Sequence, residues 1–299
     1  MNKEPIIIVG GEPNSVFLEI FFKSIKTNTF KSPIIIIVSK KLLEMQMRKL
    51  GFTFKINDID KKIKNFSKLS NNKINIINVD YIFKNCFEKI TSKSNKYINE
   101  SFETALDIIK QNNLSKFING PISKKFFLNG KSLGITEYLA KKTNKNKIAM
   151  LIFNKNLSVS PITTHLALKD VHKKITKQKI YTQVSLINKF YKKKFNKFPI
   201  IAITGLNPHC ESNFLNSEED KIIIPAIKRL RLKNTKINGP FPADTIFTKS
   251  LLKKYDVIIG MYHDQVLSPM KALFNFDAIN ITLGLPFTRI SPDHGPNYS

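Results

Sequence analysis

Tryptophan is absent from this chain, cysteine occurs twice, and four of the 49 basic residues are arginine. Two cysteines, Cys86 and Cys210, are too few for the disulfide framework of a small secreted domain. No apolar run approaches the ~20 residues that a membrane helix needs. The longest, such as Pro33 to Val38, are strand-sized. Met1-Asn2-Lys3-Glu4-Pro5 runs straight into a strand pattern, with no apolar core of a signal peptide. These absences exclude a disulfide scaffold and argue against a membrane span, so the expectation is a cytoplasmic protein. What is present is ordinary for a globular chain: 299 residues, 42% hydrophobic and 24% charged, enough for two domains or one large α/β domain.

Acidic residues are also scarce, 22 against 49 basic, and the net charge is +27. Such a charge suits phosphate neutralisation on nucleic acid. Arginine, however, is the residue that reads guanine edges and clamps phosphates bidentately, and it is confined to Arg48, Arg229, Arg231 and Arg289. The lysines are spread along the chain with an excess of Asn, Ile and Phe, a bias that AT-rich codon usage produces on solvated surface. Nucleic acid is therefore not the favoured partner; a mildly attractive field for anionic substrates remains.

Apolar runs of four to six residues alternate with amphipathic stretches, the signature of βαβ units and an α/β fold. Strands are predicted over Ile6 to Val9, Ile34 to Val38, Ile74 to Val79, Ile148 to Phe153, Pro199 to Thr204 and Asp256 to Met261. Helices are predicted over Val16 to Lys26 behind a Ser15 cap, Lys41 to Leu50 stopping at Gly51, Glu100 to Asn112, Thr176 to Phe195, and from a Ser217 cap to Leu232. Glu218, Glu219 and Asp220 then suit the first turn of that last helix.

Ligands in open α/β folds sit beyond the carboxyl ends of strands. Three of the five histidines, His165, His209 and His263, fall just past such ends. Three neutral imidazoles with an open position would suit a catalytic divalent metal. Each taken singly is more simply a satisfied loop or core histidine. His172 reads as a solvated helix face, and Cys210 as either a soft-metal ligand or a small buried thiol. Gly10-Gly11-Glu12-Pro13 lacks the third glycine of a dinucleotide fingerprint.

Five blocks carry a resemblance: Thr163-Thr164-His165-Leu166-Ala167-Leu168-Lys169-Asp170, Gly205-Leu206-Asn207-Pro208-His209, Gly239-Pro240-Phe241-Pro242-Ala243-Asp244-Thr245, Tyr262-His263-Asp264-Gln265 and Asn280-Ile281-Thr282-Leu283-Gly284-Leu285-Pro286. In this order, between Gly11-Glu12-Pro13 and Asp293-His294-Gly295, the chain resembles the 4-hydroxythreonine-4-phosphate dehydrogenase family of vitamin B6 biosynthesis. The resemblance implies an isocitrate/isopropylmalate-dehydrogenase-like fold of two α/β domains with the active site in the cleft between them. The boundaries expected are 1–125 with 265–299 for the cofactor-side domain, and 126–264 for the metal and dimer side. It implies a homodimer with shared active sites, and oxidation of 4-phosphooxy-L-threonine by NAD⁺. The resulting 2-amino-3-oxo acid loses CO₂ to leave 3-amino-2-oxopropyl phosphate.

Carried over by motif, the divalent-metal ligands (for Zn, Mg or Co) fall on His165, His209 and His263, one of them contributed across the dimer. Substrate contacts fall on Thr136, Lys271, Asn280 and Arg289, while Asp244 is the nearby carboxylate and, with Lys271, a candidate proton acceptor. Asp293, His294 and Gly295 match the start of a cofactor loop. The chain also departs from the family. Ile135 stands where a substrate-contacting His is usual, and Asn119-Gly120-Pro121 replaces Thr-Ala-Pro. Asn14-Ser15-Val16-Phe17-Leu18 replaces Ala-Gly-Ile-Gly-Pro. The rest of the cofactor loop and a closing helix would lie beyond Ser299, so weakened NAD⁺ binding is expected. Two alternatives accompany this reading: a relative acting on another phosphorylated or vicinal hydroxy acid, and a basic nucleic-acid-associated protein on an inactive scaffold.

Overall fold

A computed structural model describes residues 4–128, 134–210, 216–292 and 295. In chain order the elements are β1 (Ile6–Val9), α1 (Phe17–Thr27), β2 (Ile34–Val38), α2 (Lys40–Lys49), β3 (Ile56–Asp58), β4 (Ile74–Asn78), α3 (Asn95–Gln111), β5 (Lys116–Asn119) and α4 (Ile135–Lys142). There follow β6 (Ala149–Phe153), β7 (Ser158–Pro161), α5 (Leu168–Lys174), α6 (Lys177–Phe195), β8 (Ile201–Thr204), α7 (Ile224–Leu232) and β9 (Ile237–Phe241). The last are α8 (Ala243–Ile246), α9 (Lys249–Leu252), β10 (Val257–Gly260), α10 (His263–Phe274), β11 (Ile279–Leu283) and β12 (Thr288–Ser291). No helix among the described residues is long and apolar enough to cross a membrane.

The chain forms two compact units, Met1–Tyr138 with Pro286–Ser299, and Leu139–Leu285. These boundaries fall later than the 125 and 264 read from the sequence. The reason is local: α10 packs on β7 and β10, and β11 pairs antiparallel with β6, which keeps residues 263–283 in the second unit.

In the first unit six strands run parallel in the order β3-β4-β2-β1-β5-β12. A parallel sheet covered on both faces demands strands that are apolar throughout, and all five residues of β2 are buried. One face, with Ile8, Ile36, Val38 and Ile76, packs against Phe17, Phe21 and Phe22 of α1 and Leu43 and Met47 of α2. The Ser39 hydroxyl accepts from Leu42 N to start α2, and Gly51 ends it at φ +72°, where a side chain would be strained. Ser15 does not cap α1 as expected. Val16 takes the cap position, and the Ser15 hydroxyl instead donates to Glu12 O (2.8 Å) while accepting from Phe17 N (3.3 Å).

The second unit orders its strands β11-β6-β7-β10-β8-β9. The last four, β7, β10, β8 and β9, are mutually parallel, and β6 runs against β7. Met150, Ile152, Val159, Ala202 and Ile258 meet Val266, Leu267 and Met270 of α10 and Ile246 of α8 to form its core. Thr176, expected as the first residue of the helix, is the cap of α6, accepting from Lys179 N at 3.2 Å. Ser217 likewise accepts from Asp220 N at 3.1 Å.

Candidate active site

Four parallel neighbours, β7, β10, β8 and β9, present their carboxyl ends side by side, and a candidate residue follows each, on a loop or in the first turn of the next helix. The register aligns Pro161 with Gly260, Ile259 with Ile203, and Thr204 with Phe241. In strand order these residues are His165, His263, His209 and Asp244. Residues separated by up to a hundred positions in sequence thus share one sheet edge, where a doubly wound fold binds ligands.

The first two histidines meet. Ile162 N donates to Gly260 O (2.8 Å), Thr163 N to Met261 O (3.2 Å) and Thr163 Oγ1 to the same carbonyl (2.7 Å), which stitches the loop after β7 to the loop after β10. The rings of His165 and His263 stand 6.0 Å apart between centroids. An ion ~2 Å from one nitrogen of each ring puts each centroid roughly 3.2 Å away, so centroids up to roughly 6.4 Å apart can share it. Asp264 Oδ1 lies 2.6 Å from His263 Nδ1. A carboxylate there accepts, so Nδ1 carries the proton and Nε2 is the nitrogen left for an ion, the arrangement that orients a ligating imidazole. The pair therefore fits a divalent ion by donor type and span. Among the described residues, no three His, Cys, Asp or Glu side chains converge on one point. His209 does not complete the pair within the chain.

The loop after β8 is built to hold His209 outward. His209 and Cys210 both take left-handed backbone (φ 60° and 58°), a costly conformation for non-glycine residues. What supports it is Glu219, a residue that the sequence reading placed in the first turn of a helix. Glu219 is buried, and its Oε1 accepts from Leu206 N (2.7 Å) and Asn207 N (2.9 Å) while Oε2 accepts from Asn207 Nδ2 (2.8 Å). Burial pushes this carboxyl's pKa up, but the bonds from the Asn207 backbone and side chain and from Leu206 outweigh it, and the net shift is downward. Gly205 has no room for a side chain: a Cβ there would lie 2.7 Å from Cys210 Sγ and 3.0 Å from Glu219 Oε1. Cys210 thus packs as a small thiol, half-buried.

Gln265, part of a motif but without an assigned role, is the tie between the two loops. Its Oε1 accepts from Met261 N (2.7 Å) and Thr204 Oγ1 (2.8 Å), and its Nε2 donates to Gly205 O (2.8 Å). One amide therefore fixes the ends of β10 and β8 together. Neither Gln265 nor Glu219 is signalled by residue type alone; the signal available was only their place inside or just after a His-bearing block.

The remaining second-unit candidates sit on nearby elements. Asp244 is exposed in the first turn of α8. Lys271, in the last turn of α10, holds its ammonium over the Phe276 ring, 4.4 Å from the centroid. Asn280 is half-buried in β11, and no described residue bonds its Oδ1.

In the first unit, Thr136 is buried in α4, and Arg289 is fully enclosed in β12. Arg289 Nε donates to Asn119 Oδ1 at 2.7 Å. Burial draws its pKa down to about 9, against the charge of Glu137, so the guanidinium is still a cation at neutral pH. Gly295 is exposed, whereas Asp293 and His294 lie outside the described residues.

Residues 29–299 match the model of the family described as pyridoxal phosphate biosynthetic protein PdxA. A 4-hydroxythreonine-4-phosphate dehydrogenase of Sulfurihydrogenibium sp. (strain YO3AOP1) is 38% identical over 98% of this chain and 90% of its own. A protein of Oceanobacillus iheyensis, provisionally named as a D-threonate 4-phosphate dehydrogenase, is 30% identical over 99% of this chain and 91% of its own. The crystal structure of 4-hydroxythreonine-4-phosphate dehydrogenase from Klebsiella pneumoniae superposes with a TM-score of 0.81 at 26% identity, over 98% of this chain and 92% of that one. With a sheet edge of this make-up and a match across nine-tenths of its length, the chain belongs to the PdxA family of pyridoxal phosphate biosynthetic proteins.

Proposed function

We propose that the chain is a 4-hydroxythreonine-4-phosphate dehydrogenase that uses NAD⁺ and a divalent ion (Zn, Mg or Co) to oxidise 4-phosphooxy-L-threonine. The product is 2-amino-3-oxo-4-phosphooxybutanoate, which decarboxylates to 3-amino-2-oxopropyl phosphate. The observation that carries this reading is the pair His165 and His263, set 6.0 Å apart at the ends of adjacent parallel strands. The chemistry these groups would supply when bound is a Lewis acid that lowers the pKa of the substrate hydroxyl and an acceptor for its hydride.

The chain's own residues supply the rest. His165 and His263 would hold the ion, with Asp264 fixing the His263 tautomer. His209, held outward on its Glu219-braced loop, supplies the third imidazole across a homodimer, so that each site draws on two copies of the chain. Thr136, Lys271, Asn280 and Arg289 meet the substrate's oxyanions and polar groups; Arg289 and Lys271 bring the charge that a phosphate or carboxylate requires. Asp244, or Lys271 through water, takes the hydroxyl proton. Asp293, His294 and Gly295 open the contact with the adenosine half of NAD⁺.

The test is NADH formation from 4-phosphooxy-L-threonine, with a chelator and metal add-back. Activity should vanish with the chelator and return with the ion, and His165→Ala and His263→Ala should lose bound metal and activity together. Metal retained in full by both variants would defeat the assignment. Ile135 favours one second reading, a dehydrogenase for another phosphorylated hydroxy acid, because it withdraws a hydrogen-bonding side chain from the Thr136 helix turn. Under the first reading Ile135→His lowers KM for 4-phosphooxy-L-threonine several-fold, the value of one hydrogen bond. Under the second, it raises that KM, and D-threonate 4-phosphate is the better substrate of the unmodified enzyme.

A further inference from the structure

Where α6 packs beside α7 in the second unit, a groove of about 710 Å³ opens, a volume typical of small-molecule sites. Its wall along α6 extends from Gln178 to Lys193, a span of roughly 22 Å at the helical rise. Phe198 and Lys233, which also line it, lie in the segments that enter β8 and β9. They are at the opposite ends of those strands from His209 and Asp244. None of the candidate residues of the sheet edge lines the groove.

Five cations do line it, Lys189, Lys192, Lys193, Arg229 and Lys233, and no described Asp or Glu joins them. A patch drawn at the chain's overall proportion, 22 acidic to 49 basic, would hold acids as well. Asp256, which meets the segment between α6 and β8, is already committed. Its Oδ1 accepts from Lys197 Nζ (2.7 Å) and its Oδ2 from Ile200 N (2.8 Å). The helix dipole accounts for cations in a last turn, such as Lys192 and Lys193. It does not account for Lys189, or for the aim of Arg229 at the second turn of α6. There the guanidinium sits 5.3 Å from the centre of the Tyr181 ring. Lys192 is likewise seated, 5.7 Å over the Phe198 ring, and donates to Asn196 Oδ1 (2.9 Å). Aromatic faces and an amide thus hold these heads in place without neutralising them.

Such a cluster repels itself until an anion enters. A triphosphate concentrates several negative charges in one short chain, which suits cations spaced along a groove. Phe198, 56% exposed, adds an open ring on which a planar base can stack. We propose that the groove between α6 and α7 binds a nucleoside triphosphate, its phosphates along the cations and its base against Phe198.

The experiment titrates ATP, tripolyphosphate and adenosine calorimetrically into the unmodified enzyme and three variants. These are Lys193→Ala with Arg229→Ala, Phe198→Ala, and a control of equal charge loss in the first unit, Lys64→Ala with Lys68→Ala. All five altered side chains are exposed, and melting temperatures confirm that each variant is folded. ATP should bind more tightly than tripolyphosphate, and adenosine more weakly than either. The groove double variant should weaken ATP and tripolyphosphate tenfold or more, the scale of one charge-assisted bond. The control should change both by less than twofold. Phe198→Ala should weaken ATP alone, and KM for 4-phosphooxy-L-threonine should stay within twofold throughout. ATP that fails to bind, or binds the groove variants as it binds the unmodified enzyme, overturns the proposal. So does an equal loss in the groove and control variants, which would assign the affinity to net charge. ATP no tighter than tripolyphosphate overturns the assignment to a nucleotide.

Discussion

Glu12 shows how one carboxyl can be placed against its own chemistry. It follows β1 directly, its backbone N–H donating to Pro121 O, and its side chain is 2% exposed. Burial pushes its pKa up to about 7, only partly offset by bonds from the Ser94 hydroxyl (3.0 Å) and the Asn14 backbone. No described residue bonds its other oxygen. Because the folded pKa lies above the unfolded one, the native state holds the proton more tightly. The associated stability is complete below the ordinary Glu range and is lost as pH rises through about 7. Glutamine mimics the protonated form at every pH. Glu12→Gln should therefore leave stability nearly unchanged near pH 4.5 and raise it by about 1–3 kcal/mol near pH 8.5. Denaturant unfolding at the two pH values checks this, and an equal effect at both would show that the carboxyl is not the source.

At the scale of elements, the loop after β8 depends on the opposite sign. Glu219 has its pKa lowered, so its contribution is present above the ordinary carboxylate range and is lost as pH falls through the folded value. Its three bonds span Leu206 and Asn207, the residues that lead into His209. Glu219→Gln keeps the shape but removes the charge and one acceptor. It should cost ~1.5–3 kcal/mol at neutral pH and much less once the pH is below the lowered folded pKa, where the native carboxyl is itself protonated. Faster hydrogen exchange at the Leu206 and Asn207 amides should accompany it; a cost independent of pH would mean that charge does not hold this loop.

The same loop marks the limit of sequence reading. Long apolar strands such as β2 were plain, because a parallel strand must be apolar on both faces. The histidines past their ends were equally plain. Strand order was not: nothing in the sequence says that β10 lies between β7 and β8, and this order is what brings His165 to His263. Strand β9 was missed because Ile237-Asn238-Gly239-Pro240-Phe241 carries a Gly-Pro pair, tolerated since β9 is the last strand on its side of the second unit's sheet. Glu219 does lie in the first helical turn, as its place after Ser217 predicts, but only the fold shows that it is buried against the loop that leads to His209.

At the scale of the whole molecule the dominant quantity is the charge of +27. The ion pairs among the described residues, such as Lys23–Glu19, Lys40–Asp58 and Lys173–Asp170, are largely solvent-exposed and worth little individually. They cannot offset the mutual repulsion of a surface so rich in lysine. That repulsion opposes the compact state and is screened by salt, whose Debye length shrinks from roughly 20 Å near 20 mM to about 4 Å near 0.5 M. The same field draws an anionic phosphorylated substrate toward the protein, and that attraction is screened as well. Salt should therefore act in two directions at once. Raising NaCl across this range should increase the melting temperature while lowering kcat/KM for 4-phosphooxy-L-threonine, mainly through KM. Thermal unfolding and initial rates in the same buffers measure both. A melting temperature that falls with salt would show that the stabilising pairs outweigh the net repulsion, and a salt-independent kcat/KM would show that the excess lysines face away from the substrate's approach.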